Sequence, residues 1–80
     1  MDHASILGKL TDIFRDVFDD PSLTIQPSTT ADDVPGWDSM NHITIVVEAE
    51  QKFGVKFRTS EIEELRNVGD FVNLIASRAA

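Results

Sequence analysis

The spacing of apolar residues near the start of the chain limits the possible folds more than any other feature. These side chains recur every three or four residues, with polar residues between them: Ile6, Leu7, Leu10, Ile13, Phe14, Val17 and Phe18. This period is that of an amphipathic α-helix, and it predicts a helix over residues 3 to 18. Pro21 ends the helix, because proline disfavours helix in the preceding residue and has no backbone N–H.

A second helix is predicted from Asp38 or Ser39 to Phe53. Either Asp38 or Ser39 can cap exposed backbone N–H groups. Gly54 suits the left-handed residue that ends many helices, and Val55 suits the apolar contact that accompanies it. The β-branched run 43–47 would also fit a strand, but the surrounding spacing and both end signals favour helix.

This second helix has an unusually wide apolar surface, made of a core stripe and a rotated second stripe. Contact with another helix and exposure to a partner both explain the second stripe. We expect Ile43 and Val47 to be buried, and Met40 to be exposed because it lies beside the cap. The core stripe is Ile45, Val46, Ala49 and Phe53, and the second stripe is Met40, Ile43 and Val47.

The remaining segments complete an all-α fold of four helices, with a long loop between helices 1 and 2. Leu23, Ile25 and Val34 are expected to hold that loop against the core. A capping box from Ser60 to Glu63 predicts a short third helix. Asn67 is expected to cap the last helix, with Asp70 in its first turn. We expect residues 1–80 to form one freestanding domain.

The formal net charge of −7 limits the partners that we expect, and the absence of cysteine limits the sources of stability. Nucleic-acid binding is not expected, because it depends on clustered Lys and Arg. Partners with basic docking faces are favoured instead. No apolar run approaches the roughly 20 residues that span a bilayer, so we expect a cytoplasmic protein. We also expect a monomer. Helix packing must provide the stability, since no disulfide can.

The segment Gly36-Trp37-Asp38-Ser39 places a hydroxyl at the start of a helix, after a Pro-Gly turn, where a modifying enzyme can reach it. Together with the helix order, Phe53-Gly54-Val55 and Asn67-Val68-Gly69-Asp70, it makes the chain resemble the acyl carrier proteins over essentially its whole length.

The resemblance implies a four-helix bundle of acyl-carrier type. It also implies that Ser39 carries 4′-phosphopantetheine, installed from coenzyme A by a separate magnesium-dependent transferase that recognises Asp38. The arm would carry acyl groups as thioesters between acyl-loading and acyl-processing enzymes, in fatty acid, polyketide or specialised lipid biosynthesis. The assigned partner-binding residues are Trp37, Met40, Ile43, Val47 and Glu48.

Two departures from the family pattern bear on the pathway. Trp37 stands where housekeeping fatty-acid carriers usually have a small residue, which is similar to carriers of polyketide, peptide or specialised lipid systems. Trp37 is equally well explained as an anchor that packs over the core. The second helix also has few acidic residues, Glu48 and Glu50, so docking to strongly basic synthase patches is not favoured.

Two other functions compete with the carrier hypothesis. Ser39 and His42 share a helix face beside Asp38, which superficially resembles a catalytic triad, but three neighbours on one turn cannot easily provide that geometry. We therefore expect no enzyme activity, and a His42 that faces solvent or a partner. Neither the acidic spacing nor the two histidines indicate a metal site. The alternative that stays open is a small acidic helical interaction module without a prosthetic group.

Overall fold

The protein is described by a computed structural model that covers residues 2–78. Residues 1, 79 and 80 of the predicted domain lie outside the described range. Four helices form over the described residues, and none of these residues lies in a strand, which confirms the all-α prediction. They are α1 (His3–Val17), α2 (Ser39–Phe53), α3 (Thr59–Glu63) and α4 (Val68–Arg78). Within residues 2–78, no helix has the length and apolarity needed to cross a membrane.

Side-chain caps define the starts of the long helices. Asp38 Oδ1 accepts the backbone N–H of Asn41 at 2.9 Å, so Asp38, of the two residues considered, is the cap of α2. Asn67 Oδ1 accepts the N–H of Asp70 at 2.8 Å and caps α4 as predicted. Gly54 ends α2 with a φ of 66°, a left-handed conformation in which a side chain would be strained.

One hydrophobic cluster lies where α1 packs on both α2 and α4. The core stripe of α2 is buried except for Phe53, which is only half-buried at the edge of the cluster, with Lys9 Nζ 6.0 Å from its ring centroid. The prediction of a core stripe is thus confirmed for Ile45, Val46 and Ala49, and Phe53 packs against the core without being buried in it. The buried cluster is Ile6, Leu10, Ile13, Phe14, Ile25, Ile45, Val46, Ala49, Val68, Phe71, Val72 and Ile75.

The long loop is held against the core, as predicted. Ile25 and Val34 are buried, and Leu23 is half-buried. Arg15 on α1 donates from Nε to the carbonyl of Leu23 at 2.7 Å, which fixes the start of the loop. Apolar contacts and a hydrogen bond from the Arg15 side chain thus both hold the loop.

The loop also pairs with the first turn of α4. The N–H of Val68 donates to the carbonyl of Thr29 at 2.9 Å, and the N–H of Gly69 donates to the carbonyl of Pro27 at 2.8 Å. A Cβ atom at Gly69 would lie 2.9 Å from that Pro27 oxygen. Glycine is therefore required here by the close approach of two backbones.

The start of α3 differs from the prediction. The proposed capping box from Ser60 to Glu63 was wrong, because Arg58 has an extended backbone and the helix already begins at Thr59. Glu61 Oε1 instead accepts the backbone N–H of Arg58 at 2.9 Å. The carboxylate that folds back onto the helix start is thus two residues earlier in the chain than expected.

A contact from the far end of α4 holds α3. The guanidinium of Arg78 forms an ion pair with Glu61 and also donates to the carbonyl of Lys56 at 3.3 Å. The hydrogen bond from the N–H of Arg58 lowers the pKa of Glu61 below its ordinary value, and the charge of Arg78 lowers it further.

Candidate functional site

Ser39 is the first residue of α2, and its side chain is exposed. Because the Asp38 side chain caps α2, the Ser39 hydroxyl is not needed as a helix cap. Within residues 2–78, Ser39 Oγ makes no hydrogen bond. The site is therefore a free hydroxyl at the positive end of a helix, reachable from solvent.

The segment before Ser39 is fixed from several directions. Asn41 donates from Nδ2 to the carbonyl of Gly36 at 2.6 Å, and the N–H of Trp37 donates to the carbonyl of Val34 at 3.2 Å. The half-buried indole of Trp37 meets the buried ring of Phe14 edge to face, with centroids 5.1 Å apart. Trp37 thus anchors the segment over the core, one of the two roles predicted for it.

Trp37 also contacts His42, one helical turn into α2. Its Nε1–H donates to Nδ1 of His42 at 3.2 Å, and the rings stack with centroids 6.0 Å apart. The indole covers one side of the imidazole and leaves it half-buried, while His42 also lines the open groove beside Ser39, so the prediction that it faces solvent or a partner describes its other side. The two residues occupy the positions just before the cap and four after it, where apolar pairs often meet, and that spacing could have revealed the contact.

An open groove of about 780 Å³ lies between the start of α2 and α3, directly beside Ser39. Its surface is mainly apolar, and charged side chains stand at its edge. Sequence reasoning missed the contribution of Ile62, Leu65 and Arg66, because their meeting with α2 depends on how α3 folds back. The groove is lined by Ala31, Trp37, Asp38, Ser39, His42, Ile43, Thr59, Ile62, Glu63, Leu65 and Arg66.

The second apolar stripe of α2 is exposed over its whole length. Met40 is 79% exposed, as predicted, but Ile43 is 61% and Val47 is 43% exposed. The expectation of burial for Ile43 and Val47 was wrong, because α1 is the long helix against α2, and α3, with five residues, leaves this side open. Glu48 is also exposed on α2.

Ser39, His42 and Asp38 do not form a catalytic triad. The Asp38 carboxylate accepts the N–H of Asn41, and Nδ1 of His42, which would have to donate to a carboxylate in a triad, accepts from Trp37. Asp38 and His42 are thus both engaged in contacts that fix the start of α2.

The fold and the site define a class of protein, the phosphopantetheine-binding proteins. Residues 8–75 match the family model described as "Phosphopantetheine attachment site". The chain is 38% identical over 72 residues to an acyl carrier protein of Acidothermus cellulolyticus, which covers 90% of this chain and 86% of the relative. It is 37% identical over 70 residues to an acyl carrier protein of Myxococcus xanthus, with 88% and 89% covered.

A solved structure agrees with these relatives. The holo acyl carrier protein of Geobacter metallireducens superposes with a TM-score of 0.85 at 40% identity, covering 91% of this chain and 84% of that one. The chain therefore belongs to the acyl carrier protein family, and its prosthetic group is 4′-phosphopantetheine. Members of the family are carriers that interact with enzymes of acyl metabolism.

Proposed function

We propose that Ser39 is the residue that carries the 4′-phosphopantetheine arm. The observation that carries this proposal is the exposed Ser39 hydroxyl, free of hydrogen bonds within the described chain and placed at the start of α2 beside the groove. The phosphate of the arm would lie near the free N–H groups of the first turn and the positive end of the helix dipole. The thiol at the end of the arm would hold acyl groups as thioesters.

The residues at the site fit a covalent transfer from coenzyme A. A phosphorus–oxygen bond forms to Ser39 Oγ, the pyrophosphate bond of coenzyme A breaks, the nucleoside 3′,5′-bisphosphate leaves and the hydroxyl proton passes to solvent through the transferase. In this reaction the protein supplies an accessible acceptor of fixed position, and Asp38 both caps α2 and offers the exposed carboxylate that the transferase recognises. The partner enzymes do the chemistry.

The proposed docking surface for partner enzymes consists of Trp37, Met40, Ile43, Val47 and Glu48. The exposure of its three aliphatic members and of Glu48 supports this assignment. A contiguous apolar stripe of this kind on a small protein usually marks an interaction site. The transferase and the acyl-loading and acyl-processing enzymes would share this surface, because each must approach Ser39.

We assign the pathway to polyketide, peptide or specialised lipid biosynthesis in the cytoplasm, with fatty acid biosynthesis as the second candidate, and expect one monomeric domain. The charge on α2 supports this choice. Of its two carboxylates, Glu50 is half-buried and accepts the N–H of Phe57 at 2.9 Å, so Glu48 is the carboxylate that α2 presents to solvent. A docking face with one carboxylate and an apolar stripe suits partners whose docking patches are less basic than those of fatty-acid synthases.

The attachment site is tested by intact-protein mass after incubation with coenzyme A, magnesium and a broad-specificity phosphopantetheinyl transferase. The wild type should gain the mass of one phosphopantetheine group, and Ser39→Ala should gain none. Ser60→Ala is the matched control, because Ser60 is also exposed in the first turn of a helix, and it should be modified like the wild type. Absence of any gain in the wild type would favour the interaction module without a prosthetic group.

The docking surface is tested by loading of the modified protein by acyltransferases of fatty acid and of polyketide systems. Met40→Ser should raise the KM of the physiological partner more than Glu48→Gln does, and added salt should change that KM little. A strong salt dependence together with a larger effect of Glu48→Gln would point to a basic, fatty-acid-type partner.

A further inference from the structure

His42 has no role in the carrier function described so far, although it lies in the groove beside Ser39. Its imidazole is half-buried and accepts a hydrogen bond on Nδ1 from the indole of Trp37. The same indole rests on Phe14 and directly precedes the Asp38 cap and Ser39. The position of the modified serine is thus connected to the core through one aromatic side chain.

The contact between Trp37 and His42 depends on the protonation state of the imidazole. Indole Nε1–H is a donor only, so Nδ1 of His42 must carry a free lone pair, and the ring must be neutral with its proton on Nε2. In the imidazolium both nitrogens are donors, and two N–H groups would then face each other. Among the contacts that fix the segment 36–39, this is the one that protonation of a side chain would break.

We infer that His42 is a positioning residue for the modification of Ser39: its neutral imidazole holds Trp37 on the core and so fixes the exposed Asp38-Ser39 segment for the transferase. This inference rests on the proposed attachment at Ser39. Protonation of His42 releases the indole, which loosens both the entry into α2 and one wall of the groove. The protein then presents Ser39 in more than one orientation, and transfer slows.

The charged groups around His42 belong to several elements. Asp38 lies on its own turn, Glu63 extends from α3, and Arg66 follows α3, all lining the same groove. From the direction of α1, the neighbour beyond Trp37 is the uncharged ring of Phe14. Because charges of both signs line the groove with His42, the test has to isolate His42 itself by substitution.

The chain offers a direct optical readout, since Trp37 is its single tryptophan and it has no tyrosine. Between about pH 8 and pH 5, the range in which histidines titrate, Trp37 emission should change in intensity and wavelength. His42→Asn should abolish this change, because its amide oxygen replaces the Nδ1 acceptor without titrating. His3→Gln removes the other histidine and should titrate like the wild type. The same titration in His42→Asn as in the wild type would overturn the inference.

The second readout is the rate of phosphopantetheine transfer, measured by mass at several pH values. The ratio of wild-type to His42→Asn rates removes the pH dependence of the transferase itself. We expect this ratio to fall about two- to tenfold on acidification, as one hydrogen bond is lost. His42→Leu, which keeps bulk without an acceptor, should be slow at every pH, and His42→Asn should restore the rate.

Each outcome separates the inference from the proposed function. A constant ratio across pH, or a His42→Leu variant modified as fast as the wild type, would overturn the positioning role while leaving Ser39 as the attachment site. A pH-dependent emission in a wild type that is never modified would refute the attachment at Ser39, and the positioning role with it. The emission titration should be the same in Ser39→Ala, because the pair forms without the prosthetic group.

Discussion

Replacing Phe14 by alanine should remove a large part of the stability of the fold. Phe14 is fully buried where α1 meets α2, its ring lies 5.9 Å from that of Phe18, and the indole of Trp37 rests on it edge to face at 5.1 Å. Truncation leaves a cavity in the core and removes the ring on which Trp37 anchors the segment before Ser39. The damage therefore extends from the core to the candidate site.

The expected loss follows from burial. Truncating a fully buried phenylalanine to alanine costs about 3 to 5 kcal/mol of unfolding free energy, through lost transfer free energy and the cavity left behind. A domain of this length has a total stability of roughly 4 to 12 kcal/mol. At about 4 to 8 °C per kcal/mol, the melting temperature should fall by about 12 to 40 °C.

The assay is urea unfolding followed by far-UV circular dichroism and by Trp37 emission. Phe53→Ala is the matched control, since it removes the same atoms from a half-buried ring at the edge of the core. Its expected cost is only about 1 to 2 kcal/mol, in proportion to the smaller area taken out of water. Equal losses in the two variants, or an unchanged midpoint in Phe14→Ala, would refute the reasoning from burial.

Three further comparisons between variants have distinct expected outcomes. Ser39→Ala should leave the melting temperature almost unchanged, whereas Asp38→Ala should lower the unfolding free energy by about 0.5 to 2 kcal/mol because it removes the cap. Denaturant titration measures both losses, and a larger loss in Ser39→Ala than in Asp38→Ala would contradict the assignment of the cap. The pKa of Glu61 is lowered mainly by the backbone N–H that donates to its carboxylate. The ionised carboxylate therefore stabilises the fold at pH values above its ordinary pKa of 4.5, and this stabilisation is lost as the pH falls through the lower pKa of the folded state. The gap in melting temperature between wild type and Glu61→Gln should thus be present at about pH 6 and shrink as the pH falls below 4.5, and a gap that widens in acid would contradict the assignment. Gly69→Ala should lose about 1 to 3 kcal/mol by overpacking against the loop carbonyl, while Gly8→Ala, with open space around its Cβ, should gain about 0.5 to 1 kcal/mol; calorimetry of both variants checks the contrast.

Local signals predicted the helices well because the features that start and end helices are themselves local. Asn67 and Gly54 act through backbone groups three or four residues away, so the sequence around them contains the whole interaction. The start of α3 escaped this reasoning. Val55 is buried and Phe57 packs on Phe71 with centroids 5.9 Å apart, and these long-range contacts decide where the chain is free to turn into helix.

The candidate site was predictable in its serine and less so in its surroundings. Ser39 followed from the residues near it and from the helix order, but the exposure of Ile43 and Val47 depends on the length of a different helix. The contact of His42 with Trp37 was missed, although the spacing of the two residues around the Asp38 cap is one at which side chains often meet. Periodicity identifies an apolar face, and only the neighbours in space determine whether that face is covered.

The shortness of α3 has a further consequence for the groove. A helix of five residues with no fully buried side chain cannot persist by its own hydrogen bonds, and this one depends on half-buried Ile62 and on the contact of Glu61 with Arg78. Such a segment opens locally at a free energy far below that of global unfolding. The amides of α3 should exchange with solvent deuterium well before those of α1, and an acyl group beside Ser39 should therefore meet a groove wall that yields more readily than the rest of the fold.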